Sequence, residues 1–258
     1  MLRKILIILI TTTALTLNVN AASDGNLLMK KNDPTEVKDC FEGINRATFA
    51  FNQVLDGIIF QPVASAYRVL PSPVKTGVSN SLDNLSNLIT IPNNILQGEF
   101  TKAGANTGRF AINTTIGILG LFDVAQYLGL TELEKEDYGQ SLAKFGFGPG
   151  CYVVLPVIGP STARDAVGSV GNFMGGDAWY NVTVKNDTQY FNDMDYYLSK
   201  ITSGVDFRAK NYDAIENLEK NSLDFYASVK SLYLQDRERK IANSNKNLNT
   251  MDESDWEE

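Results

Sequence analysis

Between Phe41 and Ile59 the apolar residues recur at a spacing that suits one face of a helix. Stepped at about 100° per residue, Phe41, Ile44, Ala47, Phe51, Val54, Leu55, Ile58 and Ile59 fall within an arc of about 140°. Asn45, Arg46, Asn52, Gln53 and Asp56 occupy the other side, and only Phe49 and the terminal Phe60 break the division. Pro62 is expected to stop this helix. A second is predicted from Pro73, capped by Ser72, to Pro92, with Val74, Val78, Leu82, Leu85 and Leu88 as its stripe. A third runs from Glu99 to Ile116 and buries Phe100, Ala103, Phe110, Ala111 and Thr114, with Gly104 and Gly108 letting a neighbouring helix approach.

The pattern changes between Gly117 and Gly159, where glycines crowd the chain and Phe145-Gly146-Phe147-Gly148-Pro149-Gly150 must be a turn-rich loop. Tyr152 to Val157 reads as a strand or a buried extended segment. Ser161 to Asp165 caps a short helix, Asn181 to Asp195 is polar and reads as a loop, and a long helix is expected from Asp206 to Lys240. The buried stripe of that last helix is Phe207, Ile215, Leu218, Phe225, Tyr226, Val229, Leu232 and Tyr233. The fold class is therefore mainly α, with little or no β structure.

The N-terminus carries a different pattern. Arg3 and Lys4 precede an apolar run from Ile5 to Leu17, and small residues follow to Ala22, the order of a secretory signal peptide over residues 1–21. The run is shorter than the roughly 20 residues that cross a bilayer, and no later window is long and apolar enough to do so. One domain over residues 22–240 and an acidic, disordered tail over 241–258 complete the division. No cysteine stands near the cleavage site, so attachment to a membrane is expected to come from side chains. Cys40 and Cys151 can form a disulfide in an oxidising compartment or remain two small buried thiols; the sequence leaves both open.

Charge and composition narrow the chemistry. The formal net charge is −7, more negative by two once Arg3 and Lys4 leave with the signal, which disfavours nucleic acid as a partner. The chain has no histidine. Ser-His-Asp and Cys-His catalysis and histidine-ligated metal sites are thereby excluded, and no phosphate-binding or dinucleotide-binding glycine motif appears. The expectation is a non-enzymatic protein without a metal or cofactor.

A series of ordered motifs is more specific. Asp33-Pro34-x-Glu36, Phe41-Glu42-Gly43-Ile44-Asn45-Arg46, Pro62-Val63-Ala64-x-x-Tyr67-Arg68 and Leu70-Pro71-x-Pro73-Val74 come first. Arg109-Phe110-x-x-Asn113-Thr114-Thr115, Gly120-Leu121-Phe122-Asp123-Val124-Ala125 and Glu136-Asp137-Tyr138-Gly139-Gln140 follow. Gly148-Pro149-Gly150-x-Tyr152, Leu155-Pro156-x-x-Gly159-Pro160-Ser161 and Arg164-Asp165 close the series, with a weaker echo at Tyr226 to Glu238. In these motifs the chain resembles the MlaA (VacJ) family.

The resemblance implies a ring-like assembly of amphipathic helices in the inner leaflet of a bacterial outer membrane, with a polar central channel. It also implies transfer of mislocalised phospholipids from the outer leaflet to a soluble periplasmic carrier of the MlaC kind, in association with trimeric porins. On that expectation Phe41, Ile44, Phe51, Leu55, Ile58 and Ile59 face lipid, and Gly146, Gly148, Pro149 and Gly150 lie near the channel mouth. Arg109, Asp123, Asp137, Arg164 and Asp165 are expected as structural ion pairs. The lipid-modified cysteine common in the family is missing here. The alternative to transport is a non-transporting periplasmic scaffold or porin-associated interaction protein.

Overall fold

The computed structural model describes residues 37–243. The expected signal peptide, the Asp33-Pro34 motif and the tail from residue 244 lie outside the described residues. The fold is mainly helical, as the sequence indicates, with one short β-hairpin.

The first helix, α1 (Glu42–Leu55), does not stop at Pro62. A π-helical turn, Asp56–Phe60, leads directly into α2, Gln61–Arg68, with Pro62 in its first turn. In the wider turn the Gln61 N–H reaches back five residues to the Asp56 carbonyl. That shift re-registers the hydrogen bonds just where a proline ring and a missing N–H would otherwise disrupt a regular helix.

Proline is again internal in α3, Ser72–Leu96, which continues four residues past Pro92. The cost of an internal proline, about 3 kcal/mol, is offset by hydrogen bonds made immediately beyond it. Ser141 Oγ donates to Asn93 Oδ1 (2.6 Å) and Asn106 Nδ2 to Asn94 Oδ1 (2.9 Å). Gly98, with φ +77°, then turns the chain in the left-handed region before α4, Phe100–Thr115. Gly104 faces open space, and a Cβ added at Gly108 would stand 3.2 Å from the Leu130 side chain, so these two glycines do not admit a helix as expected.

Short helices α5 (Val124–Tyr127) and α6 (Tyr138–Lys144) punctuate the glycine-rich region. The expected extended run is β1, Tyr152–Leu155, paired antiparallel with β2, Gly159–Thr162, in the register Tyr152↔Thr162 to Leu155↔Gly159. Helix α7, Ala163–Gly171, starts on Thr162, whose hydroxyl accepts the Asp165 N–H.

Farther along the chain the structure departs from two of the elements expected. The region 181–195 is not simply a loop: α8 (Ala178–Tyr180), capped by Asp177, runs into a π turn over Asn181–Lys185. An Asn192/Asp195 capping box then starts α9, Asp193–Lys210. The single helix expected over 206–240 is instead the end of α9, then α10 (Tyr212–Asn221) and α11 (Phe225–Asn243). Asn211 leaves helical geometry and spends its side chain on the Phe207 carbonyl, and Ser222 is extended. Asp224 then accepts the Ala227 N–H at 3.1 Å. These breaks let Tyr226 and Tyr233 turn toward the hairpin, whereas Phe207 and Leu232 of the expected stripe stay exposed.

The hydrophobic core is small. Tyr152, Val154 and Tyr226 form it, with Val37, Phe49, Tyr233 and Leu234 packed around them. Phe49, one of the two residues that broke the α1 pattern, makes edge contacts with Phe225 (5.4 Å) and Tyr226 (5.5 Å).

Candidate functional site

Helix α1 turns its polar side to the protein. Asn45 Nδ2 donates to the Tyr152 carbonyl (3.0 Å) while Asn45 Oδ1 accepts the Val154 N–H (2.9 Å). One heptad on, Asn52 repeats the arrangement with the Leu155 carbonyl (3.0 Å) and the Val157 N–H (2.7 Å). The two amides thus act as a third strand, satisfying backbone groups on the open edge of β1. Arg46 pairs with Glu42 and Asp224 and lies over the Tyr226 ring, and Asp56 receives Arg208.

The apolar side of α1 consequently has little over it among the described residues. Phe41 (56% exposed), Ile44 (67%) and Ile58 (69%) lie open, as do Phe51 and Ile59, while Leu55 is half-buried.

The same inversion holds through the described residues. Nine hydrophobic residues are buried against twenty-four polar or charged ones, the reverse of a water-soluble interior. In α3 the expected stripe is not the buried one: Val74 is exposed, and the buried positions are Ser79, Asn84, Asn87, Thr90, Asn93 and Asn94. In α4 Phe100 is exposed, and the buried face is Ala103, Asn106, Arg109 and Asn113.

Ion pairs brace this polar interior. Arg109 Nη2 meets Asp123 Oδ2 at 2.9 Å, its other terminal nitrogen donates to the Leu130 carbonyl, and Asn113 Nδ2 donates to Asp123 Oδ1 at 2.8 Å. Burial pushes the Asp123 carboxyl up, but the bonds from Asn113 and Arg109 outweigh it and hold it below the usual carboxylate range.

A second network centres on Arg237, which the sequence reading did not single out. It binds Asp137 through both terminal nitrogens (2.7 Å each) and Asp165 through Nη2 (2.9 Å). Asp165 also takes Arg164 Nε (2.9 Å) and the Tyr233 hydroxyl (2.8 Å). Arg237 lies inside the weaker motif at Tyr226 to Glu238, which was the available signal. Gly139 fits under this network because it lacks a side chain: a Cβ there would stand 2.4 Å from both Arg237 Nη2 and Asp165 Oδ1.

Glu136 is buried and makes no ion pair among the described residues. Gln97 Nε2 donates to it at 3.0 Å, and burial, with the nearby Glu99 charge, raises its pKa to about 7.

The glycine-rich loop leaves α6 with Gly146 and Gly148 in open space. Its far half is anchored: the Arg164 N–H donates to the Pro149 carbonyl at 3.1 Å, and Gly150 precedes Cys151. Cys151 is disulfide-bonded to Cys40, with the Cα atoms 5.6 Å apart, so the entry to α1 is tied to the start of β1. No group of residues suited to a metal ion occurs among the described residues, and none of their helices is long and apolar enough to cross a membrane.

A helical chain with amide-rich buried faces and apolar outer faces can be placed by comparison with known proteins. The model of the family described as MlaA lipoprotein matches residues 37–240. The chain belongs to the MlaA family. It is 34% identical over 225 residues to the Escherichia coli K12 intermembrane phospholipid transport system lipoprotein MlaA, covering 85% of this chain and 82% of that one. An uncharacterized protein of Rickettsia bellii is 37% identical over 208 residues, covering 80% and 78%. A solved structure from work on the structural basis for maintenance of bacterial outer membrane lipid asymmetry superposes with a TM-score of 0.66 at 32% identity. It covers 81% of this chain and all of its own.

Proposed function

We propose that this protein is a phospholipid transport component of the outer membrane, one that preserves the asymmetry of the two leaflets. It lies in the inner leaflet with the apolar faces of α1, α3 and α4 in lipid. It receives phospholipids misplaced in the outer leaflet and delivers them to a soluble periplasmic carrier of the MlaC kind. Trimeric porins hold it in place, and no covalent chemistry is involved.

The inverted distribution of polarity carries this reading. Lipid replaces water as the solvent of the outer face, so exposed Ile and Phe are stabilised there, while a headgroup moving through the interior needs hydrogen-bonding walls. Full burial of an Ile or Phe side chain contributes about 1.5–3 kcal/mol. Roughly half of that remains available to Ile44, Phe51, Ile58 and Ile59, enough in sum to hold α1 in a leaflet. The names of the relatives support the same direction of reading. The loop Gly146–Gly150 stands near the channel mouth, where its two unencumbered glycines permit opening; Gly148→Ala should slow lipid removal.

The test is the amount of phospholipid in the outer leaflet of cells lacking the protein, scored by palmitoylation of lipopolysaccharide or by a surface lipid label. A rise that the intact gene reverses supports transport. An unchanged level, with the protein present in the wild-type envelope, favours the scaffold role instead.

A further inference from the structure

A cleft of about 410 Å3 opens between α2, the beginning of α3 and the end of α9. Its size falls in the roughly 300–1,000 Å3 range of small-ligand sites. The Arg109 and Arg237 networks do not border it. Its charges are sorted by depth. Asp206 is deep, with its side chain 8% exposed, and takes hydrogen bonds from the Tyr67 hydroxyl (3.0 Å) and Ser79 Oγ (2.8 Å). Asp83 is half-buried in the same wall, and its carboxylate is influenced by burial and by neighbouring charges rather than by any hydrogen bond.

The cations stand farther out. Arg68 and Lys210 have side chains 38% and 54% exposed, Lys210 Nζ reaching Asp206 Oδ2 at 2.9 Å with donors to spare, and Lys75 lies on the first turn of α3. Lys75 Nζ spends one donor on the Arg68 carbonyl (2.9 Å), which leaves two for a ligand. Arg68 is paired with Asp213, itself 75% exposed, and lies over the Tyr212 ring at 4.5 Å; a solvated ion pair of that kind gives way readily, while the ring keeps the guanidinium in place. The partial positive charge at the start of the 25-residue α3 adds to the same end.

We propose that this cleft binds a zwitterionic amino-phosphodiester, its phosphate against Arg68, Lys75 and Lys210 and its primary ammonium against Asp83. An ammonium supplies the donor that Asp83 lacks. A headgroup built of phosphate and hydroxyls alone could offer Asp83 a neutral hydrogen bond but no positive charge, so the two classes are separated by the charge-assisted part of that bond. Burial, with the Glu132 and Asp206 charges, holds the Asp83 carboxyl above its usual range against the pull of Lys135 and Lys210.

Val69, Leu70 and Val74, all exposed, neighbour the lining residues Arg68, Ser72 and Lys75 in the chain and offer an apolar ledge in the α2–α3 link and the first turn of α3. The ledge makes a membrane lipid the source, an assignment that rests on the transport reading above. A soluble glycerophosphodiester carries the same headgroup chemistry.

The experiment incubates the purified protein with nanodiscs containing equal phosphatidylethanolamine and phosphatidylglycerol and measures the lipids it retains by mass spectrometry. A parallel titration uses glycerophosphoethanolamine. The wild type is expected to favour the amine-bearing lipid roughly tenfold, the worth of one charge-assisted hydrogen bond. Asp83→Asn, an isosteric change at a carboxylate without hydrogen bonds, should bring the ratio close to one, and Lys75→Ala should lower retention of both lipids.

Equal retention of the two lipids by the wild type, unchanged by Asp83→Asn, overturns the headgroup assignment and leaves transport standing. Asp83-dependent binding of glycerophosphoethanolamine without any lipid retained supports the cleft chemistry and removes the transport reading instead. Binding of neither overturns both.

Discussion

Glu136 is a carboxyl group in a place that suits a neutral one. Its Gln97 partner can serve either protonation state, but burial and the Glu99 charge raise its pKa from the ordinary glutamate range to about 7. A carboxyl whose pKa is raised in the folded state stabilises the fold below its unfolded pKa and loses that contribution as pH rises through about 7. Glu136→Gln should therefore raise the melting temperature at pH 8, by the equivalent of up to about 3 kcal/mol, and leave it nearly unchanged at pH 4.5. A melting difference independent of pH would contradict the assignment. Asp123, Asp137 and Asp165 act with the opposite sign. Hydrogen bonds from Asn113 and arginine lower their pKa values against the upward pull of burial, so their stabilisation is present at neutral pH and lost as the solution is acidified below the ordinary carboxylate range.

Single helices do two jobs here, and α1 separates them by face. Asn45 and Asn52 complete the open edge of β1, so Asn45→Ala or Asn52→Ala leaves backbone groups of the hairpin without partners. Asn45→Ala should cost about 1–3 kcal/mol and Asn52→Ala less, since water can reach the exposed Val157 N–H; the two should speed amide exchange at Val154 and Val157 respectively, with protection elsewhere in the chain less affected. The opposite face touches no core. Ile44→Asp with Ile58→Asp should therefore preserve the fold while releasing the protein from membranes, read by sedimentation with the membrane fraction and by circular dichroism of the released protein. Continued sedimentation with membranes would place the attachment elsewhere. In α3 the corresponding signal was present as a run of Asn, Ser, Thr and Gln at helical spacing from Ser79 to Gln97. Periodicity alone assigned the wrong face to the interior, because it marks two faces and does not name the solvent outside.

Across the whole molecule, the core around Tyr152 and Tyr226 is too small to hold distant segments by apolar packing alone. The Cys40–Cys151 bond joins positions 111 residues apart. On the chain-entropy account a loop of about 100 residues is worth around 4–5 kcal/mol in the unfolded state. Cys40→Ser should therefore lower the denaturant midpoint of the protein in detergent, and reduction of the wild type should reproduce the shift. Equal midpoints for oxidised and reduced protein would show that the polar networks suffice.

The motif series and the absence of histidine were enough, in the sequence, to indicate a helical member of a lipid-transfer family without imidazole chemistry, since both depend on residue identity and order. The break at Asn211 and the π turn before Pro62 rest on hydrogen bonds four and five residues back, which the apolar period does not mark. The passage of α3 through Pro92 depended on tertiary contacts, where bonds from Asn106 and Ser141 to Asn94 and Asn93 offset the local preference of proline. The pairing of Arg237 with Asp137 and Asp165, the service of Asn45 and Asn52 to β1, and the joining of Cys40 to Cys151 each bring together groups separated by about a hundred residues or, for Arg237 with Asp165, by 72. Only the folded chain decides such meetings, because they are fixed by where whole elements pack and not by the residues beside them.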